Sequence, residues 1–169
     1  MLPLSLQHPA SKRGFTLLEM LIVVTIILML AGILAPILGE EARNARDGRR
    51  ASDLRSVAAA LANYKQLNGS YPDTGDAWQG DAGTLGNFGY DALGYIPGLV
   101  PNYLPYLPKD PDPNFPNAGV GGYMYRSNGF EFKFVLNSTP TVYYVSNPFY
   151  DPQRPLTGWQ VSSPGGYNW

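Results

Sequence analysis

Three features of the sequence predict an α+β protein, with one long amino-terminal helix packed on a small antiparallel β-sheet. The first is an apolar run from Met20 to Leu38 that holds no charged residue. The second is helical periodicity beyond that run: Leu54, Val57, Ala58, Leu61 and Tyr64 recur at three- and four-residue spacing and make one apolar face. The third is a pair of alternating segments joined by Asn128-Gly129, a strong hairpin signal. The chain has no cysteine, so packing alone, or a bound ion, rather than a disulfide must hold the domain together.

The apolar run would form a helix about 28 Å long at 1.5 Å per residue, close to the roughly 30 Å hydrocarbon thickness of a bilayer. Lys12-Arg13-Gly14 precedes it, followed by Phe15-Thr16-Leu17-Leu18-Glu19. A carboxylate inside a membrane helix costs roughly 2.5–3.5 kcal/mol on insertion scales and calls for a partner. Cutting the chain after Gly14 would create one, since the new α-amine of Phe15 would lie a helical turn from Glu19. A secretory signal peptide has a shorter apolar core with its cleavage site after it, and a plain anchor needs neither Gly14 nor Glu19. With basic residues, glycine, aromatic and glutamate all in register, the segment resembles the leader of the type IV pilin-like family.

That resemblance implies cleavage between Gly14 and Phe15 by a prepilin peptidase, N-methylation of the new terminus, and an assembly role for Glu19. It also implies that the helix bends or partly melts near Pro36 when subunits pack. The organisation expected is a leader at 1–14, a transmembrane and assembly helix at 15–38, an amphipathic continuation at 39–68 and a globular head at 69–169. Arg43, Arg46, Arg49, Arg50 and Arg55 follow the apolar run, so charge bias alone puts the carboxyl side in the cytoplasm. The resemblance implies the reverse: a single pass through the inner membrane with the head outside the cytoplasm.

On the continuing helix, Arg43 with Asp47 and Arg49 with Asp53 are i,i+4 pairs expected on a solvated face, or pairing between subunits. Asn68-Gly69 is a helix stop. Residues 73–98 read as a long loop packed over the helix, with Trp78, Phe88 and Tyr90 as anchors. Residues 99–108 read LVPNYLPYLP and lead into Lys109-Asp110-Pro111. This resembles the Leu-Pro-x-Asp-Pro connection of the major pseudopilin of type II secretion systems. Strands are expected at 122–127 and 130–136, joined by a two-residue turn. In the second, Phe130, Phe132 and Phe134 form the apolar face opposite Glu131, Lys133 and Val135. A third strand is expected at 141–146, and residues 147–169 should be a tail lying over the sheet.

Net charge is −1, which offers no field for nucleic acid. The only histidine is His8, in the leader, so a mature chain lacks the usual triads and zinc ligands, and no enzyme is expected. Asp110-Pro111-Asp112-Pro113-Asn114 resembles the start of an EF-hand loop, but Phe115 and Gly121 stand where that loop needs glycine and a bidentate glutamate. Major pseudopilins are similar in binding calcium near the carboxyl end through carboxylates and backbone carbonyls. Asp110 and Asp112 are therefore candidate calcium ligands, with turn capping as the alternative.

The function expected is that of a structural subunit of a type II secretion pseudopilus. The resemblance implies as partners the prepilin peptidase, other pilin-like subunits, the inner-membrane assembly platform with its ATPase, and membrane lipid. A type IV pilus subunit is the alternative, and a monomeric membrane-anchored binding domain a more distant one.

Overall fold

The computed structural model describes residues 14–80, 94–112, 122–138, 140 and 145–169, with Pro36 described by its backbone alone. The chain divides into two compact units, Met1–Glu40 and Glu41–Trp169. Helix α1, Leu17–Asn68, begins in the first and ends in the second. The observed helix starts two residues after the expected 15 and ends at the expected 68.

Both ends of α1 follow from local chemistry. Thr16 is the amino-terminal cap, its Oγ1 accepting the Glu19 N–H at 3.2 Å. At the other end Gly69 has φ 80° and donates its N–H to the Lys65 carbonyl at 2.8 Å. That left-handed closure is the conformation glycine adopts without strain.

In the second unit, α1 lays Leu54, Val57, Ala60 and Leu61 on the sheet. Ala58, expected on this face, lies at its edge and is half-buried, while Ala60 packs in the core. Burying each larger aliphatic side chain contributes roughly 1.5–3 kcal/mol. Leu99 and Leu107, from the segment before the sheet, join the same core, and the buried Tyr95 hydroxyl donates to the Pro108 carbonyl at 3.0 Å.

The sheet is antiparallel, with order β1 (Gln79–Gly80), β2 (Tyr123–Ser127), β3 (Phe132–Asn137) and β4 (Gly158–Ser162). Tyr123, Tyr125, Phe132, Phe134, Leu136 and Trp159 face the helix. Met124 and Val135 form a second cluster with Trp78 on the opposite face.

Several expectations are corrected. Ser127 pairs with Phe132, so the hairpin loop holds residues 128–131 rather than two. Asn128 Oδ1 takes the N–H groups of Phe130 and Glu131, which closes this longer turn. The shift is by two residues, so side-chain parity survives, but Phe130 falls off the strand and is 80% exposed. β4 lies within the segment read as a tail, and β1 within the segment read as a loop over the helix. Trp78 packs against the sheet instead, while Phe88 and Tyr90 lie outside the described residues. Of the strand expected at 141–146, residues 141–144 lie outside the described residues and 145–146 form a turn.

Candidate functional site

In the first unit, α1 carries a window long and apolar enough to cross a membrane, and none of that window is buried. Leu17, Leu18, Leu21, Ile22, Ile26, Ile27 and their neighbours through Leu38 are all at least 45% exposed wherever they are large and apolar. At about 1.5–3 kcal/mol per large side chain, such a surface does not remain in water; lipid or other helices must cover it. Gly14 and Phe15 precede the helix and are exposed. Glu19 sits in the first turn, where its charge complements the helix dipole. Thr16-Leu17-Leu18-Glu19 has the spacing of a capping box, a signal the sequence carried and the reading missed. The helix continues through Pro36 without a break. Thr25 returns its hydroxyl to the Leu21 carbonyl at 2.6 Å, so this polar group is satisfied within the apolar stretch.

Asp110 and Asp112 meet the second unit's half of the helix. Arg50 is buried and reaches Asp110 Oδ1 from Nε at 3.2 Å and from Nη2 at 2.7 Å. Its Nη1 donates to Asp47 Oδ1 at 2.9 Å, and Nη2 also reaches the Ser138 hydroxyl at 2.9 Å. Asp112 donates its N–H to Asp110 Oδ1 at 2.9 Å, and its own Oδ2 lies 4.0 Å from Arg50 Nη2. Burial opposes the Arg50 charge, but Asp110 and Asp47 more than offset this and raise its pKa. Asp47 and Arg50, three residues apart, are therefore an internal clamp between helix and connection, not part of a solvated face. Asp53, nearby, accepts the Tyr123 hydroxyl at 2.9 Å, and burial raises its pKa.

The Prokaryotic N-terminal methylation motif matches residues 9–35, the region that holds Gly14, Phe15, Thr16 and Glu19. The chain is 33% identical over 108 residues to the type II secretion system core protein G of Escherichia coli K12, covering 59% of this chain and 66% of that protein. To the protein of that name from Pectobacterium carotovorum it is 40% identical over 63 residues, covering 37% and 40%. To the Klebsiella pneumoniae protein of that name it is 32% identical over 108 residues, covering 59% and 69%. The chain belongs to the type II secretion system core protein G family. It is a G-type pseudopilin, with the pilin-like α+β fold expected of one. No solved structure matches it at the same level of significance.

The calcium expected by resemblance to this family meets a poor fit at Asp110 and Asp112. Asp110 Oδ1 is occupied by a guanidinium and a main-chain N–H, and Asp112 faces the same cation. Among the described residues no group of three or more histidine, cysteine or acidic side chains is placed to hold a metal ion. A second buried cation lies on the face of the sheet away from α1. Lys133 is fully buried and donates to Asp151 Oδ1 at 2.9 Å, the Tyr167 carbonyl at 3.2 Å and the Trp169 main-chain oxygen at 2.8 Å. Burial pulls its pKa down, partly countered by Asp151. Nothing in the alternation of β3 announced this, since Lys133 reads there as a solvent-facing residue.

Proposed function

We propose that this pseudopilin is a polymerising subunit of a type II secretion pseudopilus. Prepilin peptidase cuts between Gly14 and Phe15 and methylates the new amine. The apolar part of α1 then holds the subunit in the inner membrane with its head outside the cytoplasm. The assembly platform and its ATPase extract the subunits, which pack helix against helix. The observation that carries this reading is the continuous exposed apolar surface of α1, headed by one carboxylate. A membrane anchor alone would explain the surface but not Glu19. A filament explains both, because the Phe15 amine of one subunit can neutralise Glu19 of its own or a neighbouring chain in low dielectric. The role is structural, as in the relatives named as core proteins of the secretion system. The relatives' names favour this reading over a type IV pilus subunit.

The test is Glu19→Ala in the native membrane. Membrane insertion should persist, because removing a carboxylate favours the bilayer. Cross-linked multimers and filaments should be lost. Normal filament assembly by this variant contradicts the pairing role.

A further inference from the structure

We propose that the Lys133 ammonium is the built-in cation of the carboxyl-terminal segment, so that this segment is ordered without a divalent metal ion. The inference rests on the head's own geometry and not on filament assembly.

Three segments converge on one nitrogen. Lys133 stands on β3 between Arg126 of β2 and Ser162 of β4. Its three protons meet three oxygens: one carboxylate oxygen of Asp151 and the main-chain oxygens of Tyr167 and Trp169. An ammonium has three donors, so the site is saturated. Carboxylate plus main-chain oxygens is the donor set that a hard cation such as calcium takes, in that case six to eight oxygens at about 2.3–2.6 Å. Here the positive charge arrives on a side chain.

Among the described residues, both carboxylate oxygens of Asp151 are already taken. Asp151 is fully buried, and its Oδ1 also accepts the Gln153 N–H at 3.0 Å. Its Oδ2 accepts Arg154 Nη1 at 3.1 Å. A metal ion entering here would face both Lys133 and Arg154. Arg126 lies 4.8 Å from the Trp169 ring centre and is paired with Asp76 at 2.8 Å, adding another positive group over the segment.

The rest of the segment is shaped to reach this position. Ser163 Oγ accepts the Phe132 N–H at 2.8 Å, and the Ser163 N–H returns to the Phe132 carbonyl at 3.1 Å. Gly165 donates its N–H to Glu131 Oε2 at 3.1 Å. At Gly166 a Cβ would clash with the Phe132 carbonyl oxygen, so only glycine allows the chain to lie this close to β3. The segment is thus fitted to the strand along its length and tied at its end by Lys133.

The experiment uses the full chain in mild detergent, with hydrogen exchange of residues 163–169 and thermal unfolding as readouts, each with calcium in excess and with EDTA. The wild type should give the same melting midpoint and the same exchange in both conditions. Lys133→Met should speed exchange in 163–169 by roughly tenfold or more while Leu54 to Leu61 stay protected, and calcium should not restore it. If Lys133→Met does not fold, the isosteric Asp151→Asn is read in the same way. A midpoint raised by several degrees with calcium, as mass action requires of a bound ion, overturns the proposal. So does unchanged exchange of 163–169 in the variant that folds.

Discussion

Arg50 and the carboxylates around it show how a charge is kept in the core of the head. Its side chain is 3% exposed and that of Asp110 is fully buried. Two charges out of water cost several kcal/mol each, recovered only when geometry and further hydrogen bonds are good. The guanidinium meets that condition with Asp110, Asp47 and Ser138. One atom is left over: Asp110 Oδ2 is buried without a hydrogen-bond partner among the described residues, which makes the carboxylate more dependent on Arg50. Arg50→Ala should therefore lower stability by about 3–5 kcal/mol, read from chemical denaturation of the detergent-solubilised chain. A loss under about 1 kcal/mol, the range of a surface pair, contradicts the clamp.

The buried phenols fix the alkaline limit of stability. Burial, reinforced at Tyr123 by the Asp53 charge, holds both Tyr123 and Tyr125 well above the ordinary tyrosine value. In the unfolded chain they ionise near pH ~10, while in the folded chain they keep their protons. Above that pH the unfolded state binds fewer protons than the folded one, so stability falls as pH rises, and below it this contribution is fully present. The denaturation midpoint should hold steady up to about pH 10 and fall as pH rises beyond it. Replacing both tyrosines by phenylalanine should flatten that drop, and an unchanged slope in the double variant would count against their role.

At the scale of elements, the hairpin register separates two phenylalanines that the sequence cannot tell apart. Phe132 pairs with Ser127 and packs edge-on to Tyr71 at 4.6 Å between ring centres. Phe130 sits in the loop, exposed. Phe132→Ala should cost about 3–5 kcal/mol, and Phe130→Ala should stay within about 0.5 kcal/mol. Similar losses at both positions would mean the two-residue turn and the other register.

The same elements show what could be read in advance. β2 and β3 were legible because alternation and Asn-Gly act locally. α1 was legible because its periodicity spans many turns and its end is glycine. β1 has two residues, Gln79–Gly80, and exists because β2 offers an edge for it to pair with, which no local pattern reveals. β4 does alternate, with Trp159 and Val161 facing the core, but Pro155, Gly158 and Pro164 around it read as a tail. Arg50 and Lys133 were hidden for a related reason. Each looks like an ordinary surface cation, and burial reaches it from distant segments: residue 110 in one case, residues 151, 167 and 169 in the other. At the amino terminus, by contrast, the motif lies in consecutive residues, so the segment holding Gly14, Phe15 and Glu19 could be recognised before any coordinates, and the N-terminal methylation motif matched at residues 9–35 covers it.

At the scale of the whole molecule, the two units divide the labour. The head satisfies its own apolar core, its buried ions and its carboxyl-terminal segment. Among the described residues of the first unit, the large apolar side chains are all exposed and left for lipid or for other helices. A subunit built this way is soluble only in a membrane or in an assembly, which is what membership of a pseudopilin family leads one to expect. The measurement that tests this account most directly is the intact mass and amino-terminal sequence of the chain taken from its native membrane. The account predicts a chain that begins at Phe15 and carries one added methyl group. A chain that keeps its first fourteen residues, or one cut beyond Leu38, contradicts it.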